Sequence, residues 1–197
     1  AAVEIFDLDA RTVARGMPLP TPRRLSKAAW LDGSIYVVGG QDHGNRFSET
    51  GTGVVEAYDV AKNTWRKVAD LPTPRECTVV AAQGKLWALG GYEGDARVLA
   101  TVETYDPRTD RWTREPDMVS PTSVFLTFAT TTEIYTFGDY RMLDRVARLD
   151  LKKGIWTELA VPFAARRHNA CAELDGELFV VGGNVSSMGS YLDLVQR

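Results

Sequence analysis

The chain has 197 residues, with 23 Lys and Arg against 26 Asp and Glu, a formal net charge of −3 and a sequence pI near 5.5. Hydrophobic residues make up 44% and charged residues 25%, a balance that can bury a core and excludes disorder and collagen-like structure. No apolar run is long enough for a membrane-spanning helix, Ala1 to Ala10 lack the regions of a signal peptide, and the acidic balance argues against non-specific nucleic-acid binding.

Taken in chain order, the apolar runs repeat. Val3-Glu4-Ile5-Phe6-Asp7 opens the chain, with Val13 following, and Ile35-Tyr36-Val37-Val38-Gly39-Gly40 comes next. Val55-Glu56-Ala57-Tyr58-Asp59 with Trp65 leads to Leu86-Trp87-Ala88-Leu89-Gly90-Gly91, then to Val102-Glu103-Thr104-Tyr105-Asp106 with Trp112. Ile134-Tyr135-Thr136-Phe137-Gly138-Asp139 precedes Val146-Ala147-Arg148-Leu149-Asp150 with Trp156. Leu178-Phe179-Val180-Val181-Gly182-Gly183 is the last of the glycine-ended runs, and Val195-Gln196-Arg197 aligns with the Val-Glu segments.

The spacings separate fixed parts from variable ones. The interval from the aromatic position to the Trp position is 7 in every copy, and from there to the next first glycine it is 26, 25, 26 and 26. From that glycine to the following aromatic position it is 19, 15 and 11, so length variation concentrates in one connection, the candidate functional loop. Turn signals such as Asp32-Gly33, Gln83-Gly84, Asp106-Pro107, Lys153-Gly154 and Asp175-Gly176 cut each period into about four strands, the content of a propeller blade. The run before each glycine is apolar at successive positions, as an inner strand buried on both faces would be. The Tyr and Trp seven apart suit the wedge between blades.

The double glycine, the Val-Glu-x-Tyr-Asp-Pro segment, the Trp seven beyond the Tyr, and Leu71-Pro72-Thr73-Pro74-Arg75 together resemble the kelch repeat, over essentially the whole chain. The resemblance implies an all-β propeller, with repeats at approximately 1–22 (partial), 23–73, 74–121, 122–165 and 166–197 (partial). The third repeat departs from the pattern: Asp139 replaces the second glycine, Leu149 the Tyr, and Ser123 the hinge Arg. Kelch propellers commonly have six blades, so the expectation is a fragment of a larger ring. A closed four-bladed ring, or two chains forming one ring, are the alternatives.

Counting 15 back from each first glycine gives Arg24, Arg75, Ser123 and Arg167, beside Arg23, Arg166, His168 and Asn169. Equivalent positions of a propeller ring one mouth of its channel, so these residues are expected to form an anion receptor. By the kelch pattern the loops after the glycines share that face, which adds Asp42, His43 and Arg46, then Tyr92 and Glu93, then Tyr140 and Arg141, then Asn184. Tyr and Arg are the residue types that carry binding energy at interfaces.

Two histidines and two unpaired cysteines give no metal-ligand spacing, and neither a phosphate loop nor a serine-hydrolase elbow is present, so no metal, cofactor or catalytic residue is assigned. The expectation is a protein-binding module that takes an acidic peptide, with no nucleic-acid or membrane partner. A small anionic ligand is the alternative, by resemblance to kelch propellers that interconvert sialic acid anomers, with Glu93, His168 and Glu173 as proton-moving candidates. A purely structural segment is the third.

Overall fold

Hairpins are set by left-handed turn residues. Asp32-Gly33, Gln83-Gly84 and Asp175-Gly176 take positive φ at both positions (47° and 79°, 50° and 71°, 53° and 79°), the backbone of the two-residue turn that matches strand twist. The computed structural model describes residues 2–42, 50–94, 97–185 and 191–197, and every regular element among them is a strand.

β1 (Val3–Asp7) and β2 (Thr12–Gly16) form a hairpin. β3 (Arg23–Arg24), β4 (Lys27–Leu31), β5 (Ser34–Val38), β6 (Gln41–Asp42), β7 (Val55–Asp59) and β8 (Thr64–Lys67) follow, and β4-β5-β7-β8 make the first four-stranded blade while β3 pairs with β6. The second blade is β9 (Glu76–Ala82), β10 (Lys85–Tyr92), β11 (Val98–Asp106) and β12 (Arg111–Glu115). The third is β13 (Leu126–Ala129), β14 (Glu133–Phe137), β15 (Val146–Asp150) and β16 (Ile155–Leu159). Among the described residues the fourth has three strands, β17 (Ala170–Leu174), β18 (Glu177–Val181) and the two-residue β19 (Val195–Gln196). The innermost strands lie side by side, β4 on β9, β9 on β13 and β13 on β17, so the chain is an all-β propeller arc.

The core lies between blades. Tyr36, Val38 and Val55 of the first pack on Cys77, Leu86 and Tyr105 of the second, and Leu89, Val102 and Met118 pack on Phe125, Ile134 and Leu149 of the third. Six successive residues of β10, Leu86 to Gly91, are buried, because only this inner strand is sandwiched between two complete blades.

Trp and Tyr do more than fill the wedge. The Nε1 of Trp65 and of Trp112 donates to the main-chain carbonyl of Met17 and of Ala69 in the preceding unit, at 2.7 and 2.9 Å. The main-chain N–H of the same Met17 and Ala69 donates back to Asn63 and Asp110, which also accept from the hydroxyls of Tyr58 and Tyr105. At the third blade this latch is gone as a unit: Pro116 stands at the Ala69 position with no N–H, Gly154 replaces the acceptor, Leu149 has no hydroxyl, and Trp156 Nε1 is buried without a hydrogen bond.

The glycine that ends the second strand of each of the first three blades seats the next blade. A Cβ on Gly90, whose φ is +48°, would lie 2.5 Å from the Thr122 carbonyl oxygen, and on Gly39 and Gly138 it would meet the carbonyls of Arg75 and Arg166. A side chain here would push the neighbouring hinge away. At the second position Asp139 substitutes for glycine by capping the turn that follows, its Oδ1 accepting from the main-chain N–H of Arg141 and of Met142.

Candidate functional site

The hinge entering each blade decides what can face a ligand. Arg75 has no exposed surface, and its guanidinium donates to Glu103 Oε2 at 2.5 Å and to the carbonyls of Gly90, Thr73 and Ala88 at 2.6, 2.8 and 3.2 Å. Arg23 repeats the arrangement with Glu56 and the carbonyls of Gly39, Thr21 and Val37. Arg166, also without exposed surface, faces Gln196 Oε1 at 2.8 Å and lies over the Phe163 ring. These three side chains are internal clamps, which corrects the expectation that Arg23, Arg75 and Arg166 receive an anion.

The register behind that expectation also changes. The first, third and fourth hinges carry one extra residue in the left-handed region, Leu25, Val124 and His168 at φ of 56°, 60° and 53°. The register partners of Arg75 are therefore Arg23, Thr122 and Arg166, and the next position reads Arg24, Glu76, Ser123 and Arg167, of which the first three line one cleft while Arg167 is buried. Counting ten forward from each Trp position finds the buried set directly, and the interval of 25 in the second repeat marks where the extra residue is missing.

At the mouth lies a cleft of about 460 Å³ lined by Arg24, Gln41, Glu76, Tyr92, Tyr140 and Arg141, with Leu25, Val98, Ser123 and Val124 between them. Arg24 is held on the cleft by the β3–β6 ladder opposite Gln41. The side chains of Arg24 and Arg141 make no hydrogen bond or ion pair with any described residue, although the surface elsewhere pairs many of its arginines, as in Arg97–Glu93 and Arg108–Asp106. Arg167 stacks on the Tyr140 ring at 4.1 Å and holds that loop against the fourth blade. A more enclosed cavity of about 140 Å³ adjoins the cleft through Leu25, Glu76, Ser123 and Val124, and adds Lys27, His168 and Asn169.

Glu76 is the acid of the site. Burial raises its pKa, an effect that Lys27 and Arg24 oppose. His168 is held below its ordinary value by burial and by the charges of Arg167 and Lys27. Burial pushes the Cys77 thiol up to about 11, so this sulfur, which lines the smaller cavity, is a packing atom at neutral pH. Among the described residues no group of three or more His, Cys, Asp or Glu could hold a metal ion, and no helix is long and apolar enough to cross a membrane.

The model of the KLHDC2/KLHL20/DRC7 Kelch-repeats domain matches residues 4–183. The chain belongs to the kelch-repeat family. Kelch-like protein 35 of Mus musculus is 32% identical over 122 residues, covering 61% of this chain and 20% of that protein. A putative F-box/kelch-repeat protein of Arabidopsis thaliana is 30% identical over 165 residues, covering 79% of this chain and 47% of that protein. The chain thus spans less than half the length of these relatives. A solved structure described as "Structure of YjhT" superposes with a TM-score of 0.76 at 17% identity, over 87% of this chain and 63% of that one, and supports the fold.

The other expected residues of this kelch mouth distribute unevenly. Glu93 pairs with Arg97 at 2.7 Å and its carbonyl accepts from Gly51 at 3.2 Å, so it braces the loop beside Tyr92. Asp42 sits exposed on β6 opposite Arg23, and Asn184 is bridged through its backbone to Arg167; neither lines the cleft. Glu173 lies on β17 toward the far turn, where it accepts from the Gly176 N–H, away from the mouth. His43 and Arg46 lie outside the described residues. Glu76, Gln41 and Lys27 were not among the expected residues: Glu76 stands where the other repeats have Arg24, Ser123 and Arg167, and the positions of Gln41 and Lys27 vary from repeat to repeat.

Proposed function

We propose that this kelch propeller is a protein-binding module whose mouth cleft takes an acidic peptide segment. One observation carries the reading: Arg24 and Arg141 line the same cleft, and neither guanidinium makes a hydrogen bond or ion pair with a described residue, Glu76 acting on Arg24 only at longer range. Arginines tied to carboxylates would neutralise the site; two free guanidiniums offer planar, bidentate recognition of Asp or Glu side chains. Tyr92 and Tyr140 supply apolar area of the kind that anchors interfaces. Kelch-like and F-box/kelch relatives belong to the same family, which agrees with a binding role.

The test is titration of this chain with acidic and charge-neutral peptides of equal length. The reading expects salt-sensitive binding of the acidic ones that the double variant Arg24→Ala/Arg141→Ala weakens by about 10-fold or more. Equal affinity for neutral peptides, or an unaffected double variant, overturns it.

A second reading is favoured by Glu76 and His168, an acid and an imidazole with perturbed pKa values beside Arg24 and Lys27 in adjoining cavities. Such a set suits proton transfer on a small sugar acid whose carboxylate an Arg would hold. Accelerated exchange between sialic acid anomers, lost in Glu76→Gln, would favour it over peptide binding.

A further inference from the structure

Charge alone does not describe the mouth, because its donors are set among acceptors. In each of the first three blades a hinge residue meets the residue that follows the glycine turn. Arg24 stands opposite Gln41, Glu76 opposite Tyr92, and the Ser123 carbonyl accepts from the Tyr140 main-chain N–H at 3.0 Å. All six line the cleft. A guanidinium only donates and an ionised carboxylate only accepts, so neighbouring blades present opposite hydrogen-bonding characters to whatever fills it.

Gln41 is the residue that this arrangement leaves unsatisfied. It is 4% exposed, and its Oε1 is buried without a hydrogen bond. Its main chain is already engaged, paired with Arg24 and bridged to Gly51, so the side-chain oxygen is not needed to hold the strand. An acceptor shielded from water with no donor costs stability that an apolar side chain of the same length would not. The terminal torsion of a glutamine is broad, so a small turn of the amide brings this oxygen to the wall of the cleft. As cross-strand partners Arg24 and Gln41 project from one face of their ladder with Cβ atoms about 5 Å apart. The Glu76 carboxylate is a second acceptor that makes no hydrogen bond or ion pair with a described residue.

A ligand that only accepts, such as a phosphate or sulfate polymer, would satisfy Arg24 and Arg141 but leave both acceptors unmet, and Glu76 would repel it. A peptide carries both characters within one residue, since an acidic side chain supplies the carboxylate and its own main chain supplies an N–H.

We infer that Gln41 reads the main chain of the bound segment: its Oε1 accepts the peptide N–H of the residue whose carboxylate Arg24 holds. The inference rests on the acidic-segment reading above and narrows it from an anion to a peptide with a donor beside its acidic side chain. The arginines select charge, and Gln41 selects peptide over other polyanions of equal charge.

The experiment is an amide-to-ester scan of the tightest acidic peptide from the titration series, each main-chain N–H being replaced in turn by oxygen, against the parent chain and Gln41→Met. One ester should weaken binding to the parent by about 5-fold or more, and the same ester should cost under about 2-fold in Gln41→Met, where the acceptor is gone. Linear polyphosphate matched in charge to the peptide should bind the parent at least about 10-fold more weakly than the peptide does. Gln41→Met keeps the side-chain length and removes an unpaired acceptor, so the thermal midpoint of the free chain should be unchanged or higher. Binding that depends on Arg24 and Arg141 but shows no ester penalty tied to Gln41, or polyphosphate bound as tightly as the peptide, overturns the inference and leaves the two arginines as the anion site. A lowered midpoint of free Gln41→Met also overturns it, by making Gln41 a structural residue. Failure of every acidic peptide to bind overturns both readings.

Discussion

Replacing Glu103 by alanine strands the Arg75 guanidinium in the interior of the second blade. The Arg75 side chain is 0% exposed and that of Glu103 4%, and their 2.5 Å contact is the only one of the clamp that carries opposite charge. The carbonyls of Gly90, Thr73 and Ala88 would still accept, but the cation would be uncompensated. Removing one partner of a buried pair destabilises by about 3–5 kcal/mol, a large part of the roughly 5–15 kcal/mol total of a folded domain. Glu103→Gln keeps an acceptor, as Gln196 does for Arg166, and should destabilise by only about 1–2 kcal/mol. The paired change Arg75→Met/Glu103→Leu removes both charges and should be milder than Glu103→Ala. Urea denaturation followed by tryptophan fluorescence reads these differences. The clamp assignment is refuted if Glu103→Ala stays within about 1 kcal/mol of the parent, or if the exposed Arg24→Ala costs as much.

Three further outcomes are expected. Glu76→Gln removes the one carboxylate among the described residues that line the mouth cleft and should tighten acidic-peptide binding by about 2- to 10-fold at neutral pH in the same titration; a weaker complex would contradict the electrostatic reading. Pro116→Ala combined with Gly154→Asn restores a donor and an acceptor to the latch of the third blade, at a φ of 67° that Asn tolerates, and should show a favourable coupling of about 0.5–1.5 kcal/mol in a double-mutant cycle. His168 has a folded-state pKa below its ordinary 6.5, so its contribution is present above that value and lost as pH falls toward the lowered one; His168→Asn should flatten the pH dependence of the thermal midpoint there.

The propeller was legible in the sequence because its wedge-filling residues are periodic: the Tyr58–Trp65 and Tyr105–Trp112 pairs meet the preceding unit by the same route, and Gly39, Gly90 and Gly138 recur where a carbonyl needs their space. Arg24, Tyr92, Tyr140 and Arg141 were legible as one face, since the hinge and the post-glycine loop of any blade emerge at one end. Burial was not. Adjacent arginines, Arg23 beside Arg24 and Arg166 beside Arg167, read alike in sequence, and a single extra residue after each pair, at φ of 56° and 53°, sets which of them takes the clamp position. Glu76 escaped for the opposite reason: it fills a position that holds Arg24, Ser123 and Arg167 in the other repeats, so recurrence gave no hint of its place beside the cations. The latch shows the same lesson in reverse. Pro116, Leu149 and Gly154 look like unrelated departures until the structure puts all three at one interface.

The most direct measurement is a structure of this chain with the tightest-binding acidic peptide from the titration series. The account predicts peptide carboxylates within hydrogen-bond distance of Arg24 and Arg141, the chain packed on Tyr92 and Tyr140, and the Arg75–Glu103 clamp unchanged. A peptide seated away from this cleft, or one held there without a contact to either arginine, would contradict it.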